Sequence, residues 1–379
     1  PIKIGALELP NRFVMAPLTR CRADDNRVPT DLMAEYYAQR AGAGLILSEA
    51  TGITQEGLGW PYAPGLWSDR QVDAWRPVVK AVHDAGGRIF AQLWHMGRVV
   101  HPDFLGGAKP VSSSATTAPD AAHTYAGKKP YAEARALEVD EIPRLLADYE
   151  RAAGNARAAG FDGVQIHAAN GYLIDQFLRD GVNHRTDRYG GSIENRVRLL
   201  DEVTRAVAGV VGKDRTAVRL SPNGAIQGVD DSDPDALFGA AAAKLSEIGI
   251  AFLEMREPGP DGTFGKPNHP PVAPVVKRAF AGPLVLNSDY DGASAQAVLD
   301  EGKADAVETP IGFTPTPESL DLTGLDVSDA DLEDALKVDR EEWAEENELI
   351  EQWLGRFGES LPAVVRERFE AQKARFAQA

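Results

Sequence analysis

Residues 161–178 read Phe161-Asp-Gly-Val-Gln-Ile-His167-Ala-Ala-Asn170-Gly-Tyr172-Leu-Ile-Asp-Gln-Phe-Leu178. Val164 and Ile166 belong to a short apolar run after Gly163, the pattern of a buried strand. Where that strand should end, an imidazole, a carboxamide and a phenol arrive within six residues. An imidazole and an amide can donate to one oxygen, and a phenol can deliver a proton. Leu173, Ile174, Phe177 and Leu178 then resume at helical spacing, so the polar cluster falls in a strand-to-helix turn. Such turns carry the chemistry of parallel-strand barrels. The same residues also suit a plainer part, a core histidine beside a turn asparagine.

Outward from this stretch, β-rich runs recur at 12–18, 45–51, 88–94, 163–168, 216–221, 251–256, 283–287 and 304–307. Helical patterns separate them at 30–42, 68–86, 139–160, 192–211 and 233–249. Several end in Ala-Gly or Gly-Gly before the next run, as a glycine C-cap feeding a parallel strand does. Eight alternations predict an α/β fold, a (β/α)8 TIM barrel. An open doubly wound sheet is the alternative, but no Gly-x-Gly-x-x-Gly follows the first run, and Gly42-Ala-Gly44 reads as a tight turn.

The bulk properties narrow the partners. The chain has 379 residues, one cysteine and a formal charge of −17. That charge argues against nucleic acid or an anionic membrane as partner. No apolar run approaches the ~20 residues of a membrane span, and no secretory signal is read at the amino terminus. Cys21 alone excludes a disulfide framework, fits a cytoplasmic location, and excludes a cysteine-ligated iron–sulfur cluster. Residues 311–379 hold 17 acidic and 7 basic side chains, a net −10.

One connection is too long for a simple loop. Residues 97–140, after the third run, are rich in Gly, Pro, Ser and Thr. Segments of this length are usually lids or binding loops. Residues 110–114 and 135–139 are expected to form a hairpin over the barrel mouth; a solvated excursion is the other reading.

The strand ends collect Pro17, Thr19, Ala50, Gln92, Trp94, His167, Asn170, Tyr172, Arg219 and Asn287. Arg219 sits inside a strand, where a guanidinium needs an anionic or strongly polar partner, either a ligand or a buried ion pair. His-Glu-x-x-His, the phosphate loop and Gly-x-Ser-x-Gly do not occur. His167 and Asn170 make a poor metal site, and none is expected.

Residues 1 to about 307 resemble the old yellow enzyme family of flavin-dependent ene-reductases. The likeness rests on Asn11-Arg-Phe-Val-Met-Ala-Pro-Leu-Thr19, Ser48-Glu-Ala50, Ala91-Gln-Leu-Trp-His95, His167-Ala-Ala-Asn-Gly-Tyr-Leu, Asp187-Arg-Tyr-Gly-Gly-Ser-Ile-Glu-Asn-Arg196, Val218-Arg-Leu-Ser-Pro222 and Asn287-Ser-Asp-Tyr290. It implies an oxidoreductase with FMN at the barrel mouth, reduced by NADPH or NADH and reoxidised by a small-molecule activated alkene. It implies that His167 and Asn170 hold the substrate's acceptor oxygen and that Tyr172 protonates the other alkene carbon. It further implies that Arg219 faces the flavin N1/C2 edge, that Gln92, Pro17 and Ala50 contact the ring, and that Thr19 hydrogen-bonds near O4. Asn287, Ser288 and Asp289 are the implied phosphate contacts, and Trp94 and Tyr62 the implied walls of the substrate space. Cys21 is given no role.

The resemblance breaks at the eighth strand. The family's Phe-Gly-Arg segment, which binds the FMN phosphate, is replaced by Glu308-Thr-Pro-Ile-Gly-Phe313. Glu308 is expected near that phosphate, as an opposing charge unless it points away. From about 308 the chain resembles the carboxy-terminal segment of GTP-dependent phosphoenolpyruvate carboxykinase, through Glu308-Thr-Pro-Ile-Gly312, Gly324-Leu-Asp-Val-Ser328, Leu336-Lys-Val-Asp339 and Phe357-Gly-Glu-Ser-Leu-Pro-Ala-Val364. That likeness contains neither phosphate loop nor metal ligands and implies no carboxykinase activity. Trp343, Ile350, Trp353, Leu354 and Phe357 share one helical face, and Ser360 before Pro362 makes an N-cap. The expected organisation is a flavin-binding barrel over 1–307 and an acidic helical tail over 308–379. Two functional readings follow: an FMN ene-reductase, or a non-catalytic barrel that has lost flavin with its phosphate segment.

Overall fold

Eight parallel strands close on one another: β1 (Phe13–Met15), β2 (Leu45–Gly52), β3 (Ile89–Trp94), β4 (Gly163–His167), β5 (Thr216–Leu220), β6 (Phe252–Arg256), β7 (Leu284–Asn287) and β8 (Ala306–Thr309). β8 pairs with β1 through Val307–Phe13, so the sheet has no free edge. This computed structural model describes residues 1–259, 266–288, 290, 292–309, 350, 351, 354, 366, 369 and 370. Residues Pro1–Tyr290 with Val298–Pro310 form one compact unit, and Asp291–Ala297 with Ile311–Ala379 a second. Of the tail's apolar face, Ile350 and Leu354 are helical, with Leu354 buried; Trp343, Trp353, Phe357 and the Ser360 cap lie outside the described residues.

The helices start and stop where side chains satisfy free backbone groups. They are α1 (Asp31–Ala38), α2 (Asp69–Asp84), α3 (Ile142–Ala159), α4 (Leu173–Leu178), α5 (Ile193–Val211), α6 (Pro234–Ile248), α7 (Ala273–Ala279) and α8 (Gly292–Asp300). Ser68 and Gln71 form a capping box at α2, Ser192 caps α5, and Asp233 caps α6 ahead of Pro234. Gly160 and Gly249 end α3 and α6 in the left-handed conformation and turn the chain toward β4 and β6.

Inward side chains stack in layers. The lowest is apolar and includes Val14, Leu47, Phe90, Ala217, Phe252 and Val285. Its floor is a hairpin of Ile2–Ile4 and Leu7–Leu9, which inserts Ile4, Leu7 and Leu9 into the same cluster. Gly5 turns this hairpin at φ 54°, and a Cβ there would lie 2.0 Å from the Asp214 carbonyl oxygen that accepts from the Ala6 N–H. Burying each large apolar side chain contributes roughly 1.5–3 kcal/mol.

The segment between β3 and α3 is no solvated excursion. Its Met96, Val99, Val100, Phe104, Ala118, Ala122 and Tyr131 share one apolar cluster with Ala50, Trp94 and the half-packed Tyr172. Its pairing differs from expectation. Val111–Ser112 and Arg135–Ala136 do pair, but in parallel, so they are not arms of a hairpin. The hairpin lies inside the crossover between them, Ala121–Thr124 against Gly127–Pro130.

Candidate active site

Two consecutive left-handed residues shape the turn after β4. Asn170 has φ 57° and Gly171 φ 74°, conformations that asparagine and glycine tolerate best. A Cβ on Gly171 would sit 2.6 Å from the Gln227 Cβ. The Asn170 N–H donates to Ser221 Oγ at 2.7 Å, and the Gly171 N–H to Asp175 Oδ2 at 2.9 Å. Asp175 is itself paired with Arg179 at 2.9 Å, both wholly buried. This frame presents three rings together. Tyr172 is edge-on to Trp94 at 5.0 Å and to His167 at 4.9 Å, and Trp94 stacks with His167 at 6.4 Å.

These rings line a cavity of ≈ 460 Å³ at the carboxyl ends of the strands. Sites for small molecules commonly measure ~300–1,000 Å³. Pro17, Thr19, Ala50, Gln92, Trp94, His167, Asn170, Tyr172, Arg219, Asn287 and Ser288 all line it. Of the expected site residues two stand apart. Tyr62 does not line the cavity, being 43% exposed and packed edge-on against Tyr125 of the inserted hairpin, while Trp60 takes the wall. Asp289 lies outside the described residues. Trp60 and Arg256 were not anticipated; Arg256 was legible from the period of two that puts Phe252, Glu254 and Arg256 on one face of β6.

The loop carrying Pro17 and Thr19 is tied to β2. Glu49 Oε2 accepts from the Arg20 N–H at 3.1 Å and the Cys21 N–H at 3.3 Å. Tyr37, fully buried on α1, donates its hydroxyl to Glu49 Oε1 and accepts from the Glu49 N–H at 2.7 Å. Burial pushes Glu49 up to about 7, against these hydrogen bonds, which lower it. A register shift between Leu47 and Ala50 lets the strand present both residues, with Ala50 turned to the cavity.

Below the cavity lies a polar layer. Gln92 Nε2 donates to Gln165 at 2.7 Å, and Gln165 Nε2 donates to Glu254 at 2.7 Å. Asn287 Nδ2 donates to both Glu254, at 3.0 Å, and Glu308. Arg219 has Nε 3.2 Å from Glu254 Oε1 and Nη1 3.9 Å from Glu308 Oε2. Arg219 therefore both lines the cavity and belongs to a buried ion-pair group. Glu308 points inward into this layer and is 1% exposed, which places its carboxyl inside the barrel. Removing one member of such a buried pair typically costs about 3–5 kcal/mol.

Burial, reinforced by Arg219, holds the His167 imidazolium well below its usual range, so the ring is neutral. Burial also raises the Tyr172 phenol well above its usual range, so it keeps its proton at neutral pH. His167 Nδ1, Asn170 Oδ1, Gln92 Oε1 and Trp94 Nε1 are buried without a hydrogen-bond partner. All four belong to residues that line one cavity, so hydrogen-bonding capacity there is unmet within the chain. No group of His, Cys, Asp or Glu among the described residues could hold a metal ion, and none of the described helices is long and apolar enough to cross a membrane.

The sequence profile of the NADH:flavin oxidoreductase / NADH oxidase family matches residues 1–310. The chain belongs to this family. Among solved structures, the old yellow enzyme homologue from Zymomonas mobilis is 62% identical, with a TM-score of 0.82 over 84% of this chain and 89% of that one. Morphinone reductase in complex with tetrahydroNAD is 44% identical, with a TM-score of 0.77 over 84% and 88%. Putative 12-oxophytodienoate reductase 3 of Oryza sativa is 44% identical over 324 residues, 84% of this chain and 83% of that protein. Chanoclavine-I aldehyde reductase of Penicillium roqueforti is 43% identical over 312 residues, 80% and 82% respectively. This old yellow enzyme relative is an FMN-dependent NAD(P)H oxidoreductase. A second profile, the phosphoenolpyruvate carboxykinase C-terminal P-loop domain, matches residues 296–375 and overlaps the end of the first.

Proposed function

We propose that this protein reduces activated alkenes such as enones, nitroalkenes and maleimides, with Tyr172 as the proton donor. The observation that carries the reading is the placement of His167, Asn170 and Tyr172 on one cavity wall, with His167 neutral and Tyr172 protonated. Pro17, Thr19, Ala50, Gln92 and Arg219 would hold the FMN ring, with Asn287, Ser288 and Asp289 toward its phosphate. Held there, FMN would supply hydride chemistry, with NADH or NADPH as its reductant.

The chain's own part is binding, polarisation and proton delivery. His167 and Asn170 hold the carbonyl or nitro oxygen, donors fixed in advance where negative charge develops. A neutral imidazole does this without carrying a charge of its own into the cavity. The Tyr172 phenol gives its proton to the alkene carbon that does not receive hydride. Trp94 and Trp60 supply apolar wall, which excludes water and strengthens the donors.

The test is steady-state turnover of 2-cyclohexenone with NADPH and with NADH, followed by the loss of the alkene. Conversion to the saturated ketone by the flavin-loaded protein is expected. Flavin that NAD(P)H reduces but no enone, nitroalkene or maleimide reoxidises would overturn the assignment.

A further inference from the structure

Arg219 is flanked by two carboxyl groups in a place with little room for charge. Arg219, Glu254 and Glu308 are 7%, 0% and 1% exposed. The Asn287 amide donates to both Glu254 and Glu308, and Arg219 lies 3.2 Å from the first carboxyl and 3.9 Å from the second, so the two acids are gathered on the same partners. Two ionised carboxylates gathered so closely out of water would repel each other, and one would be driven to hold its proton. Glu308 Oε1 is also buried with no partner. One added proton removes the repulsion and leaves a single negative charge on the pair.

We propose that Glu254 and Glu308 hold one proton between them, and that the single negative charge left on the pair neutralises Arg219 and so limits its stabilisation of reduced, electron-rich flavin. The second half rests on the reading of the cavity as the flavin site. Glu308 acts through Arg219 and is a positioning residue.

The surroundings agree. Both carboxylates ionised would leave Arg219 outnumbered in a medium that penalises unpaired charge. Burial first, and then the charge of Glu254, raises Glu308 well above the usual carboxylate range, against the opposing pull of Arg219 and Asn287. The packed neighbours Gln92, Gln165 and Asn287 are uncharged, and His167 beside Arg219 is neutral. Among the described residues lining the cavity, Arg256, two residues beyond Glu254 on the same face of β6, is the other cation.

The experiment is a charge count. The flavin midpoint potential is measured in Glu254→Gln, Glu308→Gln and the double variant, alongside infrared spectra of the apoproteins. Each single amide still leaves one carboxylate, so its potential should stay near the parent's. The double variant leaves Arg219 unopposed, and its ratio of reduced to oxidised flavin affinity should rise about tenfold or more. The parent apoprotein should show a protonated-carboxyl band that either single replacement removes. Equal, additive rises in the two singles, or no such band, would overturn the shared proton. If neither the double variant nor Arg219→Lys moves the potential, flavin does not sense Arg219, and the tuning role fails together with the flavin-site reading, while the infrared band still decides the proton. Glu308→Ala serves as the charge-equivalent single if the amide variant does not fold.

Discussion

Tyr172 meets His167 edge-on, ring centroids 4.9 Å apart at 83°, on the wall of one cavity. On the proposed reading, Tyr172 as proton donor and His167 as oxygen-binding group so disposed would address two different atoms of one conjugated substrate. Tyr172→Phe keeps the ring contact and removes the proton. It should slow flavin reoxidation by an enone roughly 10²–10⁴-fold and leave reduction by NAD(P)H nearly unchanged. Stopped-flow traces of the two half-reactions decide this; equal losses in both would end the proton-donor role.

On the proposed reading, Asn170→Ala removes one of the two oxygen donors. Turnover of alkenes should fall about 10²–10³-fold, and phenol binding should weaken. Phenol titration followed by its long-wavelength charge-transfer band is the check, and an unchanged affinity would count against Asn170. The left-handed φ at this position adds strain to the alanine variant, so its melting temperature needs to accompany the titration.

Glu49 offers a pH test. Its folded-state value near 7 lies above the unfolded value of 4.5, so its contribution is complete below about 4.5 and is lost as pH rises to about 7. The full span corresponds to roughly 3 kcal/mol. Glu49→Gln does not titrate, so the stability of the parent relative to this variant should fall across that window. A difference that stays flat from pH 4.5 to 7.5 in urea melts would show that burial does not govern this carboxyl.

No Gly-Arg pair follows β8, where Pro310-Ile-Gly-Phe313 stands. Hydrogen bonds to charged groups contribute about 1.5–3 kcal/mol each. FMN should therefore bind little more tightly than riboflavin, and a Gly-Arg segment grafted at 310–313 should widen the gap. Fluorescence titration of apoprotein with both flavins measures this. A large preference for FMN in the unaltered chain would mean that other residues hold the phosphate.

Much of this was written locally. The eight β-runs coincide with the barrel strands within two or three residues, because parallel strands buried on both faces read as apolar runs. Ser68, Ser192 and Asp233 marked helix starts because capping depends on residues three apart. The site was legible where chemistry ends a strand, as at His167 and Arg219. It was less so where a loop decides. Trp60 and Tyr62 are two residues apart, yet Trp60 lines the cavity while Tyr62, at a φ of 56°, packs against Tyr125. The direction of Glu308 likewise follows from its register with Asn287 on β7, a pairing no local pattern states.

The hairpin beneath the barrel has a consequence for how the chain folds. Ile4, Leu7 and Leu9 precede every surface they cover, and Ala6 waits for a carbonyl at Asp214. Their partners at Phe252, Val285 and Ala306 come still later. Closing loops of more than two hundred residues is entropically costly and yields little until the far strands are in place. The base of the cylinder is thus sealed late, and until then Phe90 and Leu47 face solvent through an open end. Partly assembled forms of this protein expose their greasiest surface at the pole opposite the catalytic mouth, which is where premature self-association would begin.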